Sequence, residues 1–187
     1  MKKYHSRKLK LLKIKALNIE SIRQSVRRKF FKPVFDNDKI EKLHHLVSGN
    51  DSNTDYWYIG GLLSDFINVI KTFQPEDIRY FFDTIHKWDS YHLVVIADKL
   101  LDSDVKANVK YDFGMVYGKI FCLYEKFDPY FLIDNLEIAF TMYNTRPDMD
   151  ILTDLKAKMH LLFRYKQINR QQFEYNLSLI NQLRNEL

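Results

Sequence analysis

Apolar residues recur three and four positions apart along nearly the whole chain, the spacing of one helix face. Ile19, Ile22, Val26 and Phe30 form the first stripe, with Arg23, Arg27 and Arg28 beside it. Ile40, Leu43, Leu46 and Val47 form a second, capped by Asp36 or Asn37 and stopped by Gly49. After a loop-like stretch from Ser48 to Asn53, Thr54 opens a helix carrying Trp57, Leu62, Leu63, Phe66, Ile67, Ile70 and Phe73. Ile78, Phe81, Phe82, Ile85 and Trp88 follow Pro75, and Asp89-Ser90 starts a helix through Leu93, Ile96, Ala97, Leu100 and Leu101. The pattern next predicts one long helix over 105–126, then helices over 129–143 and 147–165. A last one opens at Asn169 with Phe173, Leu177, Ile180 and Leu183. Eight or nine helices are expected.

Proline placement supports this division. Asp128-Pro129, Gln74-Pro75-Glu76-Asp77 and Arg146-Pro147-Asp148 each put proline in a first turn, with acids where the helix dipole favours them. Pro33 closes the first, basic block. Short links make neighbouring helices antiparallel, so two α-hairpins are predicted, 54–88 and 90–126. Each is about the length of a helical-repeat unit. The expected fold is therefore all-α: stacked antiparallel α-hairpins, either an α-solenoid or an irregular helical bundle. Gly114 and Gly118, four apart inside a predicted helix, imply close approach of another backbone or ring. Gly60-Gly61 is expected to loosen or bend its helix.

Charge divides the chain differently from hydropathy. Residues 1–32 hold 12 Lys and Arg and one acid, Glu20, formally +11; residues 33–187 hold 17 basic and 23 acidic side chains, formally −6. This predicts a basic, partly helical N-terminal arm (1–32) and a single all-helical domain (33–187). Such an arm seeks a counter-surface: its own body, a partner protein, nucleic acid or a membrane. Twelve Tyr, 14 Phe and two Trp give enough aromatic bulk for a large core. Cys122 is the only cysteine, which excludes an internal disulfide and fits a reducing, cytoplasmic setting. Apolar runs of about five residues, as in Leu93–Ala97, fall far short of the ~20 a membrane helix needs, so no membrane span is expected. Lysines 8, 10, 13 and 15 interrupt every apolar core a signal peptide would use.

Candidate chemistry is sparse. Glu41-x-x-His44, Asp83-x-x-His86 and Asp89-x-x-His92 each put a carboxylate and an imidazole on one helix face. Di-iron bundles use Glu-x-x-His twice plus two further Glu. Here only one pair contains Glu, and capping and surface charge explain the others, so no metal ligands are assigned. His44 and His45 cannot share a helix face, so at most one points inward. Cys122, between Phe121 and Leu123, reads as a buried structural thiol. No phosphate loop, dinucleotide fingerprint or nucleophile elbow is present, so no cofactor or catalytic residue is assigned. In the basic arm, Lys10, Lys13, Lys15, Arg23, Arg27 and Arg28 are the candidates for phosphate contact. Trp57 and Trp88 read as core pillars between hairpins; either one, if exposed, becomes an interface anchor.

Trp57-Tyr58-Ile59-Gly60-Gly61-Leu62-Leu63, Phe81-Phe82-Asp83-Thr84-Ile85-His86-Lys87-Trp88 and Ile96-Ala97-Asp98-Lys99-Leu100-Leu101 alternate a tryptophan-ended helix with a leucine-rich one. In this, residues 57–125 resemble HEAT-like helical proteins of bacteria, which include immunity proteins that neutralise toxins. The resemblance implies a HEAT-like fold and a protein partner, and assigns no site residue. The basic arm departs from what an inhibitor of a basic nuclease toxin would carry.

Three functions are expected, in descending order. The first is a non-enzymatic protein-binding module, an immunity or regulatory protein that occludes a partner's surface. The second is a nucleic-acid-binding protein that uses residues 1–32. The third is a metal-dependent enzyme with its site between facing helices.

Overall fold

The computed structural model describes residues 33–49, 57–123 and 130–185, without the side chains of 130 and 131. The chain divides into two compact units, Met1–Val34 and Phe35–Leu187. The arm residues lie outside the described residues, as do Thr54, Asp128 and Pro129.

The second unit is all-helical. Its helices are α1 (Asp38–Ser48), α2 (Leu62–Ile70), α3 (Pro75–Thr84) with a 3-10 turn at Ile85–Lys87, α4 (Ser90–Leu100) and α5 (Ser103–Asn108). Then come α6 (Gly114–Leu123), α7 (Tyr130–Asp134), α8 (Leu136–Tyr143), α9 (Met149–Arg164) and α10 (Arg170–Asn185). No strand occurs among the described residues.

Capping follows the sequence closely. Asn37, rather than Asp36, caps α1 by accepting from the Lys39 and Ile40 N–H groups. Asp89, Asp102 and Asp148 cap α4, α5 and α9 in the same manner. Pro75 occupies the first position of α3. Pro147, in contrast, precedes the cap of its helix and so lies outside the first turn. Asn169 and Gln172 bond reciprocally across the start of α10, at 2.9 and 3.2 Å.

Three predicted helices are broken. The 105–126 helix is two, because Asn108 bonds back to the Asp104 carbonyl at 2.8 Å and Val109 is extended. The Asp112 carboxylate then accepts from Gly114 N–H at 2.9 Å, offering the backbone a partner other than a helical carbonyl. The 129–143 helix is interrupted at Asn135, which separates α7 from α8. Gly60-Gly61 ends rather than bends the helix that holds Trp57, since Gly61 has φ +80 and α2 starts after it. Ten α-helices lie among the described residues.

The core runs through the body in a series. α1 packs on α2, α3 and α4; α4 packs on α6; α6 packs on α8 and α9; and α9 packs on α10. The expected 90–126 hairpin forms as α4 against α6. Within the described part of 54–88, α2 and α3 each pack more on α1 than on one another. The first units therefore stack around α1, and the last around α6. The glycine spacing has the predicted cause. A Cβ at Gly118 would sit 3.2 Å from the Phe140 ring, and one at Gly114 would sit 1.8 Å from Thr145 Oγ1. Buried tyrosines tie the layers: Tyr117 donates to the Leu132 carbonyl at 3.0 Å and Tyr143 to that of Leu100 at 2.8 Å. Burial first, and nearby acids second, push both hydroxyls up. An apolar void of about 10 Å³ between Leu43, Phe66, Ile96 and Phe113 has no polar lining.

Candidate interaction face

The sequence-predicted residues fall in three groups. Lys10, Lys13, Lys15, Arg23, Arg27 and Arg28 lie outside the described residues. Trp57 and Trp88 are both buried, at 1 and 6% exposure. The condition for their being surface anchors is not met, and their pillar role has visible partners. The Lys99 ammonium lies 5.1 Å from the Trp57 ring and 4.9 Å from that of Tyr58, and pairs with Asp98 at 2.8 Å. Tyr58 in turn donates to Asp102 at 3.2 Å. Lys99 is thus buried with its charge compensated, as its burial demands. Trp88 packs against Phe35, His44 and Phe81, with ring centroids 4.9 to 5.5 Å apart.

The third group is the carboxylate–histidine pairs. Glu41 lies 3.7 Å from His45, and Asp89 serves as a cap. Asp83 and His86 are exposed. Among the described residues, no group of three or more His, Cys, Asp or Glu is placed to hold a metal ion. His44 is half-buried and His45 exposed, in keeping with at most one of them pointing inward. The half-buried Cys122 thiol is pushed up to about 12, by burial first and by Asp154 second. A thiol pushed in that direction holds little thiolate near neutral pH.

Elsewhere the body has two polar features. A groove of about 500 Å³ between α1 and α2 is lined by Lys39, Lys42, His45, Asp65, Asn68 and Thr72. At one end of α1, the Asp77 carboxylate accepts from Lys39 at 2.6 Å, the Asn37 amide at 2.8 Å and Gln74 N–H at 2.7 Å. Burial opposes the charge on Asp77, but these bonds outweigh it and hold its carboxyl below the usual range.

The most distinct surface lies where α10 meets α7 and α8. Tyr175 donates its hydroxyl to Glu137, and Gln172 donates to Asp134 at 3.2 Å. Ile138, next to Glu137, is 53% exposed and Tyr175 is 55% exposed. An aromatic ring and two carboxylates therefore share one outward seam. Sequence reading passed over it. The available signal was Tyr175 itself, an aromatic residue off the apolar stripe of Phe173, Leu177, Ile180 and Leu183. Glu137 had no comparable mark, because its pairing joins helices 38 residues apart.

No helix among the described residues is long and apolar enough to cross a membrane. Compared with protein-family models, curated proteins and solved structures, the chain matches none of them.

Proposed function

We propose that this chain is a non-enzymatic protein-binding module whose helical body covers a partner's surface. The observation that carries the reading is the seam of Tyr175, Glu137 and Asp134. Aromatic and aliphatic groups on a folded surface supply contact area, and tyrosine does so at low entropic cost. The flanking carboxylates favour a partner whose facing surface is cationic. An immunity or regulatory role, the one implied by the HEAT-like resemblance, belongs to this reading.

The test uses the full chain and a Tyr175→Ala/Glu137→Gln variant as baits in extracts of the native host. A species retained by the first and lost by the second, with unchanged helicity and Tm for the bait, supports the reading. Equal retention by both removes the seam from it.

A second reading rests on the charge split. The +11 block over residues 1–32 suits phosphate contact, and nucleic-acid binding would then weaken steeply with salt. Replacing Lys10, Lys13, Lys15, Arg23, Arg27 and Arg28 by Gln should abolish binding to a DNA and RNA panel and flatten its salt slope. Unchanged binding would sink this second reading.

A further inference from the structure

The acidic body carries one stretch of the opposite sign. Residues 155–173 hold Lys156, Lys158, Arg164, Lys166 and Arg170 and no Asp or Glu, formally +5, although residues 33–187 together total −6. The stretch runs from the middle of α9, through the turn after it, into the start of α10. The acids that flank it are engaged. Asp154 lies 4.0 Å from Lys119, Glu174 pairs with Arg170 at 2.6 Å, and Asp134 of α7 accepts from Gln172.

Rings reach the surface at the same turn. Tyr165 is 68% exposed, the most open Phe, Tyr or Trp among the described residues, and Phe163 is 40% exposed. Phe163 stacks on Phe173 at 4.5 Å and 17°, and His160 meets Phe173 at 5.2 Å and 65°. Tyr165 belongs neither to the core nor to its partly buried margin.

Helix stability explains only part of this. Arg164, in the last turn of α9, suits the negative end of that helix. Arg170 opens α10, where the dipole favours an acid. Lys166 takes a left-handed backbone, φ 56, that glycine or asparagine adopts more easily. An open ring between cations is instead the pattern of a single-stranded nucleic-acid contact, in which rings stack on bases and cations meet phosphates. A membrane surface fits less well. The apolar stripe of α9 (Leu152, Leu155, Met159, Leu162) is already buried, so no apolar face is left to lie in an interface. An acidic protein would answer the cations but give the Tyr165 ring no flat partner.

We propose that the α9–α10 turn is a contact site for single-stranded nucleic acid, with Tyr165 stacking on a base and Arg164 and Lys166 meeting the flanking phosphates. The site rests on the nucleic-acid reading for its ligand but uses none of residues 1–32.

The test measures binding of the full chain to a labelled oligothymidylate of about 12 nucleotides by anisotropy, across a salt series. Irradiation then crosslinks thymine to the ring it stacks on, and mass spectrometry locates the adduct. An adduct within Phe163–Arg170 is expected. Tyr165→Ala should weaken binding about tenfold with an unchanged salt slope and Tm, and Tyr165→Phe should bind as the parent does. Lys166→Gly should weaken binding and lower the salt slope by about one while the fold stays intact. Adducts confined to residues 1–32, with Tyr165→Ala unchanged, overturn this site and leave the arm reading standing. An adduct at the turn, with binding unchanged when the six arm cations become Gln, does the reverse. Absence of any binding overturns both. Capture by phosphatidylserine–phosphatidylcholine vesicles that Tyr165→Ala abolishes, without oligothymidylate binding, overturns the proposal and makes the turn a membrane contact.

Discussion

α6 has ten residues and α10 has sixteen, yet the shorter helix is the more deeply held. Gly114, Val116, Tyr117, Gly118, Ile120 and Phe121 of α6 are buried, against Asn176 and Ile180 of α10. α6 lies between α4, α8 and α9, so almost every direction around it meets another element. α10 has its main neighbour in α9, through the stacked rings of Phe163 and Phe173 at 4.5 Å, and polar bonds to α7 and α8. The contrast separates two ways of fixing a helix. At the centre, exclusion decides: positions are small because nothing larger fits. At the edge, caps and pairwise contacts decide, and few positions of the helix are buried.

The largest expected effect breaks the centre. Gly114→Ala places a methyl group 1.8 Å from Thr145 Oγ1 and 2.9 Å from Thr145 Cβ. Thr145 cannot swing aside freely, since it is buried and donates to Asp112 at 2.6 Å. Either α6 shifts from α8 or that bond is lost, at a cost of about 3 kcal/mol. Urea denaturation reads this directly. A loss under about 0.5 kcal/mol would mean that the two helices are not in such close contact.

Legibility from sequence divides along the same line. The all-α class, most caps and the close-packing role of Gly114 and Gly118 were readable, because each depends on local chemistry or on a missing side chain. The breaks at Asn108 and Asn135 were not. Apolar periodicity continued through both, and at the first the Asn108 side chain took a backbone carbonyl. Why α2 and α3 part company was equally hidden, since it depends on α1 lying against both. Site residues fared worse for the same reason. The seam joins Glu137 to Tyr175 and a ring contact joins His44 of α1 to His92 of α4, and no local spacing encodes either. Adjacency allowed at most one of His44 and His45 to turn inward, but it gave neither which one nor its partners.

A smaller effect sharpens the comparison within the centre. Tyr117→Phe removes only a hydroxyl and keeps the buried ring. It leaves the Leu132 carbonyl without the 3.0 Å bond it now accepts, in a site with 0% exposure for Tyr117. An unmet buried acceptor costs about 1–2 kcal/mol. The loss should appear as a lower midpoint with an unchanged denaturant slope. A neutral result would show that α7 relaxes enough to satisfy its carbonyl elsewhere, and that the centre is held by shape alone.

The smallest effect carries the comparison to the edge and reverses its sign. α8 and α9 end in the same way, each with a left-handed residue just past the last turn. Asn144 has φ 52 and Lys166 has φ 56. In both, the next N–H reaches back five residues, Thr145 to Phe140 at 2.8 Å and Gln167 to Leu162 at 2.9 Å. Asparagine tolerates this conformation, whereas lysine is strained there by about 1–2 kcal/mol. The Lys166 side chain is exposed, so replacing it discards no core packing. Lys166→Gly should relieve that strain, and the extra freedom of glycine in the unfolded chain returns about half of the gain. A net rise of about 0.5 kcal/mol is expected, readable as a Tm increase of one or two degrees for a chain of this size. Asn144→Gly should gain less, because asparagine starts with less strain. Equal gains at the two sites would show that residue preference in the turn matters less than what surrounds it, and would weaken the distinction between an edge fixed by local chemistry and a centre fixed by exclusion.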